Sequence, residues 1–389
     1  MESSKSKNSV AAEKVRNHVP NDLTMSIISK LPLKSLVRFR CLQKAWSLLF
    51  ENPHFMNMYR VHFASNKKFS YDDDSYLALE FKFSYYGFCG NLFSRYGENE
   101  VKLDWPPVFQ EDNRCINILG SFDDKTLCIY TGILVPKTVF WNLSTKEFKV
   151  LPPSPIESHP SHYKFVFKLM GLGYDCVRDD HKVIRNAMEW IRYNIEDTES
   201  NEYIWELYSR RTNSWRKLDV DIPLGSDALG ATVYTNGACH WWDRDGNCLV
   251  SFDLICEVFY KTPLPLHVDG NFNCESKDKR FMALNGSIAF ITTYATNYES
   301  TTSTLHISIL GEYGVKESWT KLFIIESLPS YVDRPIGAGN KGEIFFKTKY
   351  KELVQFDLNT RKIDKLPIKD LLHTFQILLY KKILLSIED

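Results

Sequence analysis

The spacing of apolar residues changes once along this chain, near residue 62. From Val19 to about His62 the apolar positions recur every three or four residues, the period of helices with one buried stripe. Leu23, Ile27, Ile28 and Leu31 share one face of a first helix, whose start Asn21 or Asp22 can cap. Pro32 breaks that run and is suited to open a second helix carrying Leu33, Leu36, Val37 and Cys41. Trp46, Leu49 and Phe50 mark a third short helix, and Asn52-Pro53 restarts the chain into Phe55, Met56 and Tyr59. Helices of about eight to ten residues are marginal alone. A segment this short cannot shield all of these apolar groups from within, so a partner is expected to cover some of them.

Beyond His62, short runs of Val, Ile, Phe, Tyr and Trp alternate with turn residues, which predicts an all-β region. The region repeats. Val139–Pro152, Leu249–Pro263 and Leu353–Pro367 each read as an apolar strand, a polar turn and a second strand ending at proline. Weaker copies run over Glu206–Trp215 and His306–Trp319, with a further one at Leu92–Trp105. A second phrase, Asn236-Gly237, Asn285-Gly286 and Asn340-Lys-Gly342, supplies a positive-φ turn ahead of an apolar strand. Anchored on Trp141, Tyr208, Phe252, Ile309 and Phe356, the copies step by 67, 44, 57 and 47 residues. A unit of about 45 residues with insertions is the size of a four-stranded propeller blade. The expected architecture is a small all-α unit at 17–62, after a basic tail at 1–16, then a β-propeller of six or seven blades over 63–389. A β-sandwich is the alternative, but it needs no repeated turn-strand phrase.

Charge adds an asymmetry. The 48 basic and 48 acidic residues cancel, so nucleic acid finds no global attraction. Residues 1–60 nevertheless carry ten Lys/Arg against four Asp/Glu, a net +6, leaving the rest at −6. An acidic protein partner for the helical unit follows, the alternative being a solvated basic surface. The nine cysteines are never two to four residues apart, which indicates neither a disulfide framework nor a zinc knuckle. Neither an apolar leader nor a run of about 18 apolar residues is present. The expected location is therefore the cytoplasm or nucleus, with no membrane contact. Asn142-Leu-Ser144 and Asn285-Gly-Ser287 match the glycosylation sequon and are read as turns.

Within Val19–Trp46, the pairs Leu31-Pro32 and Ser35-Leu36, the triplet Arg38-Phe39-Arg40 and Lys44-x-Trp46 closely resemble the F-box. Val19-Pro20 stands where that family usually has Leu-Pro. The rest resembles the plant F-box-associated, kelch-like interaction domain, also found in S-locus F-box proteins. The matching stretches are Gly120-Ser121, Leu127-Cys128, Phe140–Phe148, Leu151-Pro152, Gly171–Asp175, Asp179–Val183, Tyr208 and Asn213–Trp215. His181 stands where Tyr is usual and Leu143 where Pro is more frequent; the kelch double glycine is absent.

The resemblance implies a substrate-recognition subunit of an SCF-type ubiquitin ligase. The F-box would dock on a Skp-type adaptor, and through it on a cullin and a RING protein, while the propeller captures an unknown target protein. The chain would contribute no chemistry, only proximity. Pro20, Leu23, Ile28, Leu31, Pro32, Leu36, Lys44 and Trp46 are the candidates for the adaptor face, and the alternative for each apolar one is internal packing. Target capture is expected from two departures from the repeat, Ile184–Glu202 and Thr292–Thr304, with Trp190, Tyr193, Tyr294 and Tyr298 as aromatic anchors. No cofactor or metal is indicated. Asp72-Asp73-Asp74 lacks partner spacing and His159-Pro-Ser-His162 lacks a third ligand. With no Gly-x-Ser-x-Gly, phosphate-binding loop or His-Glu-x-x-His, a catalytic propeller is a distant rival. A scaffold acting outside any ligase is the other.

Overall fold

The computed structural model describes residues 21–40, 48–65, 76–84, 87–94, 100–101, 105–109, 116–122, 126–131, 137–142, 145–157, 165–189, 204–220, 232–243, 247–265, 276–295, 302–339, 342–366 and 374–381. The helical unit comprises α1 (Asn21–Ile28), α2 (Leu33–Arg40), a 3-10 turn (Leu48–Glu51) and α3 (Pro53–Ser65). Pro32 opens α2, as expected: its carbonyl accepts the amides of Ser35 and Leu36 at 3.0 and 3.2 Å. Asn52 caps α3, its side-chain oxygen accepting the amides of His54 and Phe55 at 2.9 and 3.2 Å.

The rest is a β-propeller built from four-stranded antiparallel sheets, six of them among the described residues. β1 (Tyr76–Ser84), β2 (Gly87–Ser94) and β3 (Glu100–Val101) belong to one sheet. The next holds β4 (Ile116–Phe122), β5 (Thr126–Thr131), β6 (Lys137–Asn142) and β7 (Phe148–Val150). A third holds β8 (Phe165–Asp175), β9 (Asp180–Glu189), β10 (Ile204–Ser209) and β11 (Ser214–Leu218). A fourth holds β12 (Val233–Thr235), β13 (Ala238–Asp243), β14 (Cys248–Asp253) and β15 (Val258–Pro263). The fifth has β16 (Ser276–Leu284), β17 (Ser287–Ala295), β18 (Thr302–Leu310) and β19 (Trp319–Pro329). The sixth has β20 (Val332–Ala338), β21 (Glu343–Thr348), β22 (Leu353–Asp357) and β23 (Ile363–Lys365). A last strand, β24 (Thr374–Lys381), returns to the first sheet and pairs with β1. Leading strands touch in succession, β4 to β8, β8 to β12, β12 to β16, β16 to β20 and β20 to β24, and β2 against β4 completes the ring.

The copies of the repeated phrase supply the third and fourth strands of their sheets, and at Asn142, Asp253 and Asp357 the polar turn has one physical cause. Asp253 Oδ1 accepts the amides of Ile255 and Cys256 at 2.8 and 2.9 Å, and Asp357 Oδ1 those of Asn359 and Thr360 at 2.7 and 2.9 Å. Four residues after each, Glu257 and Arg361 take positive φ of 59° and 57°, as Lys146 does after Asn142. The side chain thus substitutes for the backbone in a tight turn. The Asn-Gly phrases are hairpin turns with both residues at positive φ, 49° and 80° at Asn236-Gly237 and 48° and 74° at Asn285-Gly286.

Apolar clusters fill the wedges between sheets. Trp205 on β10 and Trp241 on β13, both fully buried, stack with ring centroids 5.7 Å apart. The largest cluster is shared by the helices and the propeller: Ile28, Leu36, Phe55 and Phe63 belong to the same core as Ile291, Ile307 and Leu322. The helical unit thus covers part of its apolar surface with its own propeller, a cover within the chain that the helical spacing did not show. α3 continues to Ser65, past the boundary expected at 62.

Candidate functional site

Among the described residues of the helical unit, the exposed large apolar side chains are Leu23, Ile27, Leu48 and Val61, and the first two share a helix face. Leu23 and Ile27, one turn apart on α1, are 57% and 59% exposed, and Pro32 is exposed beside the start of α2. Leu31 is half-buried against the shared core. Two candidates for the adaptor face are corrected: Ile28 and Leu36 are 6% and 1% exposed and pack inside that core. Their apolar character serves the join between helices and propeller, a contact distant in sequence. Pro20, Lys44 and Trp46 lie outside the described residues. Ile27 is absent from the predicted set, although its position four residues after Leu23 was the signal for it. Burial, with Lys30 beside it, pushes the His62 imidazole pKa down, so the surface around α3 is not charged by that ring at neutral pH.

The target-binding candidates fare differently. Trp190, Tyr193 and Tyr298 lie outside the described residues. Tyr294 is a strand residue, opposite Thr304 across β17 and β18, with its ring 4.8 Å from that of His306. Both expected insertions begin within strands, since β9 runs to Glu189 and β17 takes up Thr292–Ala295, and the second also ends in one, β18 taking up Thr302–Thr304. Both remaining connections, β9–β10 and β17–β18, join second to third strands and therefore leave the ring at the same end.

The family-like phrases hold two buried polar networks that the spacing of residues did not reveal. Lys182 on β9 donates to Asp175 at 2.8 Å, to the Leu254 carbonyl at 2.7 Å and to Glu257 at 2.9 Å, joining two neighbouring sheets. Arg178 reinforces the join through Asp175 and the Ile255 carbonyl at 2.9 and 2.7 Å, and Arg216 pairs with Glu257. Burial alone would raise the Asp175 carboxyl, but the hydrogen bonds from Lys182 and Arg178 outweigh it and hold the group well below the usual carboxylate range. Gly173 permits the same close approach: a Cβ there would lie 2.2 Å from the Tyr234 ring and 2.5 Å from Leu254. In the second network the buried guanidinium of Arg185 lies 4.5 Å from the centre of Phe167 and 4.0 Å from that of Trp215. Glu206 receives it at 2.7 and 2.9 Å and Glu157 pairs with it too. Lys182 and Arg185 are enclosed within these networks, whereas Arg178 and Arg216 stand half-exposed at the edge of the first.

Among the described residues, His240 is the fully buried imidazole of the propeller. It bonds Thr235 Oγ1 at 3.0 Å through Nε2 and Ser251 Oγ at 2.8 Å through Nδ1, and burial pushes its pKa down to about 3. It is sealed from any substrate proton. Among the described residues no three His, Cys, Asp or Glu side chains could hold a metal ion, and no helix is long and apolar enough to cross a membrane.

The family model of the F-box associated beta propeller domain matches residues 106–382, more than two thirds of the chain. The chain is 26% identical over 380 residues to the F-box protein CPR1 of Arabidopsis thaliana, covering 90% of this chain and 85% of that one. It is 22% identical over 334 residues to the F-box/kelch-repeat protein At3g23880 of the same plant, covering 82% of each. Among solved structures, TolB from Acinetobacter baumannii aligns with a TM-score of 0.43 and 11% identity, over 84% of this chain and 71% of that one.

Proposed function

Because this chain belongs to the F-box-associated β-propeller family and is similar to plant F-box proteins, we propose that it is the target-selecting subunit of an SCF-type ubiquitin ligase. Residues 17–62 dock on a Skp-type adaptor, which links the chain to a cullin and a RING protein, and the propeller captures a target protein. The observation that carries the adaptor half is the pair Leu23 and Ile27, more than half exposed on α1 while the apolar groups behind them are buried. Large apolar side chains one helical turn apart, left in water by a fold that buries their neighbours, make a binding surface. Pro20, Leu31, Pro32, Lys44 and Trp46 complete the proposed face. Its basic character suits an acidic adaptor and speeds encounter.

The six sheets are read as six blades. The described helices meet the propeller at the β16–β17 and β18–β19 turns, and the target is assigned to the opposite end of the ring. Trp190, Tyr193, Tyr294 and Tyr298 remain the proposed aromatic contacts there. The chain supplies proximity rather than chemistry, raising the effective concentration of a target lysine at a thioester carried by another subunit. Cytoplasm and nucleus are the compartments in which it would act.

The test is capture of purified Skp-type adaptor and its cullin by the full chain. Wild type is expected to retain both, and Leu23→Asp with Ile27→Asp to retain neither while its thermal unfolding is unchanged. A wild-type chain that retains no adaptor, or a double variant that still does, overturns the proposal.

A further inference from the structure

One end of the sheet β16–β19 is built around the helices. Gly311, just after β18, lies against α2: a Cβ there would sit 2.6 Å from Val37 Cγ2 and 3.2 Å from the Ser318 carbonyl oxygen. The connection that carries it, Gly311–Ser318, is stiffened from within. The Gly311 amide donates to the Ser318 carbonyl at 3.1 Å, and the fully buried Ser318 hydroxyl accepts the Glu312 amide at 3.0 Å while its proton faces the Val315 carbonyl at 2.7 Å. Glu312 also pairs with Arg38 of α2 at 3.5 Å.

A second contact is independent of the first. In the equivalent turns Asn236-Gly237 and Asn285-Gly286 the asparagine side chains do different things. Asn236 Nδ2 donates to the Gly286 carbonyl of the next sheet at 2.7 Å. Asn285 Nδ2 turns instead to the carbonyl of Phe63 near the end of α3, at 2.6 Å, where the helix has carbonyls without partners of its own. Beside it the Phe63 ring lies 6.5 Å from that of Phe323 on β19. The turn used elsewhere to join sheet to sheet here joins the propeller to the helical unit.

We propose that Asn285 and the Gly311–Ser318 connection form a seat that fixes the direction in which α1 presents Leu23 and Ile27, making Gly311 and Asn285 positioning residues for ubiquitin transfer. The seat sets, within this one chain, the path from adaptor to target. The proposal rests on the ligase reading above, because a fixed direction matters only if something is docked at each end.

The test uses the full chain with fluorophores at Lys30 and Tyr350, both exposed, and single-molecule energy transfer between them. Wild type is expected to give one narrow distribution. Gly311→Ala, whose methyl drives into Val37, is expected to broaden or shift it, and adding Val37→Ala, which removes the obstructing methyls, to restore it. Asn285→Gly keeps the positive-φ turn while deleting the bond to Phe63, and is expected to broaden the distribution should Gly311→Ala not fold. In a reconstituted ligase the set of this chain's own lysines that becomes modified is expected to change in Gly311→Ala and to return in the double variant. A narrow, wild-type distribution in both Gly311→Ala and Asn285→Gly, or an unchanged set of modified lysines, overturns the seat. Adaptor capture by wild type, scored in parallel, tests the ligase reading alone.

Discussion

Acid is expected to loosen this propeller through His240 before it reaches the carboxylate of Asp175. The ring is fully buried, held between Thr235 and Ser251 with Tyr313 at 5.1 Å, and its pKa is pushed down to about 3. Unfolded, the same imidazole titrates near 6.5, so between those values the unfolded chain binds a proton that the folded chain refuses. A depressed folded pKa means stability that is whole above about pH 6.5 and lost as pH falls. At pH 5 the loss is about 2 kcal/mol, rising to a ceiling of about 5 kcal/mol near pH 3. That is a large part of the margin of an ordinary domain. The carboxylate held by Lys182 and Arg178 acts in a lower window, below about pH 4. The assay is urea unfolding of wild type and His240→Gln at pH 7.5, 6 and 5, taking the difference in stability at each pH. Everything else that titrates cancels in that difference, which is expected to shrink by about 2 kcal/mol from pH 7.5 to 5. Two parallel curves would show that the imidazole is protonated in the folded state and refute the reasoning.

Gly173→Ala drives a methyl into Tyr234 and Leu254 and is expected to cost about 1–3 kcal/mol; a wild-type denaturation midpoint would count against the close approach. Glu206→Gln leaves Arg185 enclosed with part of its charge uncompensated and is expected to cost about 3 kcal/mol. The double change Glu206→Met with Arg185→Met should cost less than Glu206→Gln, and a larger loss in the double would contradict the account. Leu36→Ala is expected to lower stability by about 2–5 kcal/mol and Leu23→Ala by no more than about 0.5 kcal/mol, read from thermal unfolding of the full chain.

The propeller was legible in the sequence because its information is local. The turn at Asp253 is written in the six residues that form it, and the same side-chain bond to the backbone at Asp357 made the repeat visible. The start of α2 at Pro32 and the cap of α3 at Asn52 were likewise contained within one turn of helix. The partition of α1 and α2 into buried and exposed sides was not. Leu23 and Ile28 look alike as letters, and what separates them is a core shared with β17 and β18, more than two hundred residues away. The same distance hid the pairing of Asn285 with Phe63 and of Lys182 with Glu257. The presumed target loops were overdrawn for a related reason: polar and aromatic residues at Thr292–Ala295 read as an insertion, although strand β17 continues through them with a pleated face against β18.

The pairing of β24 with β1 has a consequence for the newborn protein. The helical unit emerges from the ribosome early, yet the circle cannot shut until residues 374–381 arrive. Until then β1 keeps one edge bare, and that edge is a template for any stray strand. A message cut short upstream of Thr374 would yield a product whose first sheet lacks its inner strand and whose ring stays agape.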